Sequence, residues 1–177
     1  MYLFTFCVLL HLSSDNASTI TSLTHAMLVS YISITVLHDI MHLEFSDSHW
    51  AGHTSALLTI QYMMYDIMNI KHKEFYLHHF MAIIASLYTL YTNTYQVLVL
   101  FIELNEFSTI FLNLITWNIS FAKPMFALTF FVCRIILLIW IIFWEGVPSV
   151  FLTLLLQLHF LINMFWFVKI IRRIRRY

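Results

Sequence analysis

Charge is the scarcest property of this chain. Lys, Arg, Asp and Glu together make up 10% of its 177 residues, where a soluble domain carries about 25%. So few charges cannot cover the surface of a water-soluble fold of this size, and that class is excluded. Glycine and proline are nearly absent, two of each. Long helices with short connections are therefore expected, rather than loop-rich or glycine-broken architectures. Cysteine is equally rare. Cys7 and Cys133 both lie in apolar runs, which leaves no disulfide framework and reads as two small core hydrophobes. The chain contains no internal repeat, no phosphate-cradling glycine loop, no serine nucleophile motif and no basic surface suited to nucleic acid.

What is present is apolar. Hydrophobic residues make up 61% and aromatic residues 18% of the chain, with a mean hydropathy of +0.83. A spanning helix needs roughly 20 apolar residues, and candidate spans occur at 19–38, 54–70, 75–92, 96–117, 125–144 and 148–170. The expected fold is an all-α, multi-pass transmembrane bundle of six to seven helices. Residues 1–12 resemble the apolar core of a signal peptide but lack a positive start and a cleavage site. Residues 1–17 are read as a short or truncated membrane segment, 18–173 as the transmembrane domain and 174–177 as a basic tail. Several spans are rich in Ile, Phe and Thr, which favour strands in water. In lipid the backbone must satisfy its own hydrogen bonds, which favours helix. A barrel would need alternating segments, and runs such as Ile135 to Phe143 do not alternate.

Lysine and arginine set the orientation. Four arginines fall in the last six residues, so the C-terminus is placed in the cytosol. Six helices then put Lys71, Lys73 and Lys123 on the same side. The stretch 39–53, with Asp39, Glu44 and Asp47 and no Lys or Arg, falls on the opposite face. The basic tail is read as a topology signal, with contact to anionic lipid headgroups as the alternative.

Against this background the polar residues inside the spans stand out, because ionisable groups in hydrocarbon are costly and mark function by default. Helical spacing puts Thr59, Tyr62, Asp66 and Asn69 on one stripe and Ser18, Ser22 and His25 on another. It places His78 and His79 beside the small residues Ala82, Ala85, Ser86 and Thr89. Glu103, Glu106, Asn113 and Trp117 share a face, as do His159, Asn163 and Trp166. At about 1.5 Å per residue, Asp66 and the histidine pair lie roughly one turn in from the cytosolic side. Glu103, Glu106, Arg134 and His159 lie nearer the midplane. Together these groups can form one polar cleft open towards the cytosol. His78, His79, Asp66, Glu103 and Glu106 are the candidate catalytic groups. His25, Tyr62, Asn113, Trp117, His159, Asn163 and Trp166 are the candidate cavity lining. Adjacent imidazoles suit proton transfer. The competing reading is a structural network in which Arg134 neutralises one glutamate.

In this order and spacing, Ser22-Leu-Thr-His-Ala26, Tyr62-Met-Met-Tyr-Asp-Ile-Met68, Phe75-Tyr-Leu-His-His-Phe80, Glu103-Leu-Asn-Glu-Phe-Ser-Thr-Ile-Phe-Leu-Asn113 and Leu161-Ile-Asn-Met-Phe-Trp-Phe167 resemble the TLC domain family. The likeness runs from about Ser18 to Arg173. It is nearer the TLC-domain-containing branch than the ceramide synthases. The resemblance implies a protein of membrane lipid homeostasis that binds or modifies lipid, in the endoplasmic reticulum, another endomembrane or the plasma membrane. Ceramide synthases join an acyl group from acyl-CoA to a sphingoid amine, and their adjacent histidines match His78 and His79. Where they carry two aspartates, this chain carries Glu103 and Glu106. The implied partners are membrane lipids, a sphingoid base or fatty acyl-CoA, with no tightly bound cofactor, and a homodimer is one expected assembly.

Two other classes compete. A histidine-rich diiron oxidase is suggested by His38-x-x-x-His42 and His49-x-x-x-His53. Those residues, however, lie on the opposite side of the bilayer from His78, and one cluster cannot bridge it. A separate zinc site there is the residual metal option; otherwise the expected metal is none. A proton-coupled channel or transporter would use Glu103, Glu106, Arg134 and His159 as a relay, although no repeat supports transport. The topology is checked by mobility: the sequons at Asn16 and Asn118 should remain unglycosylated in cells. An endoglycosidase-sensitive shift traced to Asn118 would invert the orientation.

Overall fold

The computed structural model describes residues 17–41, 48–69, 74–143 and 149–174. The N-terminal segment through residue 16, His42, Lys71, Lys73 and the end of the basic tail lie outside these, as does the His49 side chain. Among the described residues every regular element is helical. Helix α1 spans Ala17–Met41, α2 Ser48–Asn69 and α3 Glu74–Thr92. The next rod consists of α4 (Gln96–Glu103) and α5 (Glu106–Thr116), joined through a tight step at Leu104 and Asn105. Then α6 (Ala122–Phe131) runs through a π-helical turn (Val132–Ile136) into α7 (Leu137–Phe143). Helix α8 (Val150–Ile174) closes the bundle.

These are the six rods the sequence predicts, with shifted ends. Helix α2 begins at Ser48 rather than 54, and α8 continues to Ile174 rather than 170. In both cases the extra turns carry polar or basic residues: helix geometry persists past the apolar stretch, because water can serve the side chains there. Helix α6 starts before 125 because Pro124 sits in its first turn, where the missing N–H has no intrahelical partner to lose.

With glycine so rare, asparagine closes helices. Asn118 takes φ 58° after α5. Asn118 N donates to the Ile115 carbonyl and Ile119 N to that of Leu114, the paired bonds that end a helix on a left-handed residue. Asn93 likewise takes a positive φ, 54°, just after α3.

Successive rods alternate in direction. Ser22 near the start of α1 meets Asn113 near the end of α5, at 3.0 Å. His53 near the start of α2 meets Asn93 just after α3, at 2.9 Å. Four rods are long and apolar enough to cross a membrane by length and composition: Ser18–His38, Gln96–Thr116, Ala122–Phe143 and Val150–Ile174. Helices α2 and α3 are more polar and form an antiparallel pair; α2 packs on α1 and α4, while α1 also packs directly on α4 and α5.

The distribution of residues is inverted relative to a soluble protein. Tyr31, Tyr91, Phe143, Val150 and Leu161 are exposed, while Ser30, Ser33, Ser55, Glu103, Arg134 and Asn163 are buried. This is the pattern of a bundle solvated by lipid: no hydrophobic force drives helices together there, so small and polar residues form the interfaces. Ala26 and Ser30 on α1, and Ala51, Ser55 and Thr59 on α2, are such contacts. Helix α2 comes close to α4 at Gly52, where an added Cβ would meet the Gln96 Cβ and lie 2.8 Å from the Gln96 carbonyl oxygen and 2.9 Å from its Cα. Backbone cannot yield as a side chain does. Gly52→Ala should therefore cost about 1–3 kcal/mol of stability, read as a lowered melting temperature in detergent. An unchanged Tm would refute the close packing of α2 on α4.

Candidate functional site

The site is assembled where α2 ends and α3 begins. Asp66 lies one turn before the end of α2, and His78 and His79 lie one turn inside α3. The short connection between these helices sets them side by side. His79 Nδ1 is 2.9 Å from the Phe75 carbonyl of its own helix, and its Nε2 is 2.7 Å from Asp66 Oδ2. A carbonyl only accepts, so Nδ1 carries a proton and donates it. The Nε2–Oδ2 bond then holds one further proton shared between imidazole and carboxylate. His79 is thus clamped at both nitrogens, with no lone pair free while both bonds stand.

His78 is held differently. Its ring is buried among rings, stacked on His159 at 5.0 Å and set edge-on to Trp166 at 5.3 Å, with the His79 ring at 5.5 Å. Its Nδ1 is buried with no hydrogen-bond partner. Of the two histidines, His78 is the one able to take or give a proton, and His79 with Asp66 forms the fixed polar wall beside it.

Both face a cavity of about 730 Å³. Its outer part is lined by Ser18, Asp66, Thr116, Lys123, Lys169 and Arg173. All of these come from the helix ends on the side where the basic residues gather. Its inner part is lined by His78, Glu106, Thr109, Phe130, Arg134 and Trp166. Aromatic and aliphatic side chains, including Phe75, Leu112, Ile115 and Phe126, form most of the remaining wall. The volume is that of a ligand site, and the mix of apolar wall and a few polar groups is typical of one.

The structure brings together Tyr62, Asp66, His78, His79, Glu106, Asn113 and Trp166 around this cavity. It separates the others. Glu103 is buried one turn from Glu106, accepting hydrogen bonds from Ser55 Oγ and, at 2.6 Å, from Thr59 Oγ1 of α2; it does not line the cavity. The two carboxylates stand on either side of the step at Leu104 and Asn105 and face different neighbours, α2 in one case and the π-helical turn in the other. His25 is fully buried behind the lining and stacks on Tyr62 at 4.1 Å. His159 supports His78 from behind and is hydrogen-bonded to the Asn105 amide at 3.3 Å. Asn163 is wholly buried and donates to the His159 carbonyl at 2.9 Å. Trp117 lies at the C-terminal end of α5, 41% exposed and outside the lining.

Sequence reasoning placed Arg134 near the midplane of the polar cleft, as a neutralising charge or a relay member, but not among the catalytic or cavity-lining candidates. It does pair with Glu106, at 3.5 Å, and it also lines the cavity. Its place at the centre of a π-helical turn, a feature frequent at functional sites, leaves no mark in the sequence. Among the described residues no three His, Cys, Asp or Glu side chains come together as a metal site.

A sequence model of the TLC domain matches residues 2–172, nearly the whole chain. The chain belongs to the TLC domain family. Together with the apolar rods this makes it an integral membrane protein of the TLC type. No curated protein and no solved structure matches it.

The His79–Asp66 clamp of this TLC domain is open to measurement by a double-mutant cycle. Asp66→Ala, His79→Ala and the double variant, unfolded in detergent, should show a coupling of about 1–3 kcal/mol. Zero coupling would show that the two side chains do not interact.

Proposed function

We propose that this TLC-domain protein binds a membrane lipid in the cavity and thereby acts in membrane lipid homeostasis. The observation that carries this reading is the cavity's composition: an apolar and aromatic wall interrupted by His78, His79 and Asp66 on one side and by Arg134 and Glu106 at the inner end. Such a space suits an acyl chain with one polar group. Its outer lining holds Lys123, Lys169 and Arg173, which favours entry of an amphiphile from the bundle end where lipid headgroups lie. Family membership supports the same reading, and an endomembrane is the proposed location.

A second reading is acyl transfer from acyl-CoA to an amine such as a sphingoid base. Among the described residues no hydrogen bond reaches His78 Nε2 and, unlike Nδ1, it is not an enclosed atom, which favours this reading. An imidazole with a free nitrogen next to a clamped His–Asp pair is suited to draw the proton from an attacking amine. The nitrogen would then attack the thioester carbonyl, and the thiolate of CoA would leave with a proton.

The experiment has two arms. Lipid extracted from the purified protein should be identifiable by mass spectrometry and should fall severalfold in Ser22→Trp, which places an indole in the cavity. An extract identical to that of Ser22→Trp would remove the binding reading. Microsomes given labelled acyl-CoA and amine acceptors should form product that is lost in the His78→Ala/His79→Ala variant if the second reading holds. Absence of product with every amine and lysolipid tested leaves binding alone.

A further inference from the structure

Arg134 is 6% exposed and makes four hydrogen bonds among the described residues. Nε donates to the Asn105 carbonyl at 3.1 Å and to Ser108 Oγ at 2.7 Å. Nη2 donates to Thr109 Oγ1 at 2.8 Å and to Glu106 Oε1 at 3.5 Å. All four use two of its three nitrogens. Among the described residues no hydrogen bond reaches Nη1. Nor is Nη1 one of the enclosed polar atoms left without a partner, so it borders open space. The open space that Arg134 borders is the cavity.

A guanidinium nitrogen can only donate, so its complement is an oxygen acceptor. The charge of the surroundings selects which kind. Glu106 already supplies the counter-charge to Arg134, and the two together are neutral. A second carboxylate or phosphate at this depth would meet Glu106 as a like charge in a low dielectric, at a cost of several kcal/mol. A carbonyl oxygen accepts the same hydrogen bond without that penalty. The neighbouring wall, with Phe130 and Trp166, suits the hydrocarbon attached to such a carbonyl.

We infer that Arg134 Nη1 holds the carbonyl oxygen of an acyl-lipid ligand, the ester, amide or thioester linkage, at the inner end of the cavity, whose lining also includes His78. This rests on the lipid-binding reading and narrows it to lipids that carry an acyl carbonyl. The same assignment makes Arg134 a binding residue as well as the brace of the α4–α5 step.

The test changes the ligand before it changes the protein. Purified protein in detergent is titrated with matched pairs differing in the carbonyl: 1-palmitoyl against 1-O-hexadecyl lysophospholipids with choline, ethanolamine or phosphate heads, and palmitoyl-CoA against S-hexadecyl-CoA. In at least one pair the acyl member should bind roughly tenfold or more tightly, the value of one hydrogen bond to a charged donor. Preference within the lysophospholipids points to a lipid ester, and preference within the CoA pair alone points to a thioester. The double variant Arg134→Met/Glu106→Gln, which leaves no buried charge unpaired, should lose that preference. Equal binding of both members in every pair overturns the carbonyl assignment while leaving the lipid cavity intact. Preference that persists in a folded double variant also overturns it. If no member of any pair binds, and Ser22→Trp changes nothing, both readings fall together. Should the double variant fail to fold, the comparison of ligands on the unaltered protein decides alone.

Discussion

One buried guanidinium holds the centre of this bundle. Arg134 donates to the Asn105 carbonyl at the step between α4 and α5, to the hydroxyls of Ser108 and Thr109 one turn on, and to the Glu106 carboxylate. In an apolar medium an uncompensated charge is too costly to tolerate, and removing one partner of a buried pair costs more than the pair contributes. The step at Asn105 and the π-helical turn at Arg134 therefore depend on each other. The step supplies a carbonyl that faces the guanidinium, and the guanidinium adds a charged donor to the two that Ser108 already directs at that carbonyl. The cavity's inner end follows from that arrangement, because Glu106, Thr109 and Arg134 all line it.

The same constraint explains why the buried polar groups divide into two sets. Glu103 takes its hydrogen bonds from Ser55 and Thr59 and so ties α4 to α2. Asp66, His79 and His78 form the other set at the α2–α3 end, around the cavity. Gly52, pressed against Gln96, keeps α2 close enough to α4 for the Glu103 contacts to form. A packing contact near one end of the bundle thus supports the rod whose other half carries the cavity's floor. Polar groups placed for stability and polar groups placed for a ligand use the same helices, one turn apart.

The fold was largely legible in the residues. Scarce charge, six apolar stretches and the near absence of glycine and proline lead to a six-rod bundle, and the family is readable from the spaced histidine, glutamate and asparagine segments. Part of the site was legible too, since i, i+3 and i+4 spacing groups Tyr62 with Asp66 and sets the histidine pair near them. Spacing failed where the helix geometry itself changes. Glu103 and Glu106 look like one acidic pair by periodicity, yet each faces a different neighbour. Trp117 shares their stripe but stands at a helix end, outside the lining. Arg134 is missing from the sequence's candidate lining, because a π-helical turn has no simple sequence signal.

The sequence by itself determined the solvent, the number of rods and the short list of polar residues that such a solvent must force inward. Those are sums over composition and local periodicity, and neither depends on which helix packs against which. Only the tertiary structure decided which histidine is clamped and which is free. It also decided which glutamate meets the arginine and which side of the guanidinium is left open. Each of these is a pairing between residues far apart in the chain, made by directional hydrogen bonds whose geometry depends on the rotation and depth of whole helices.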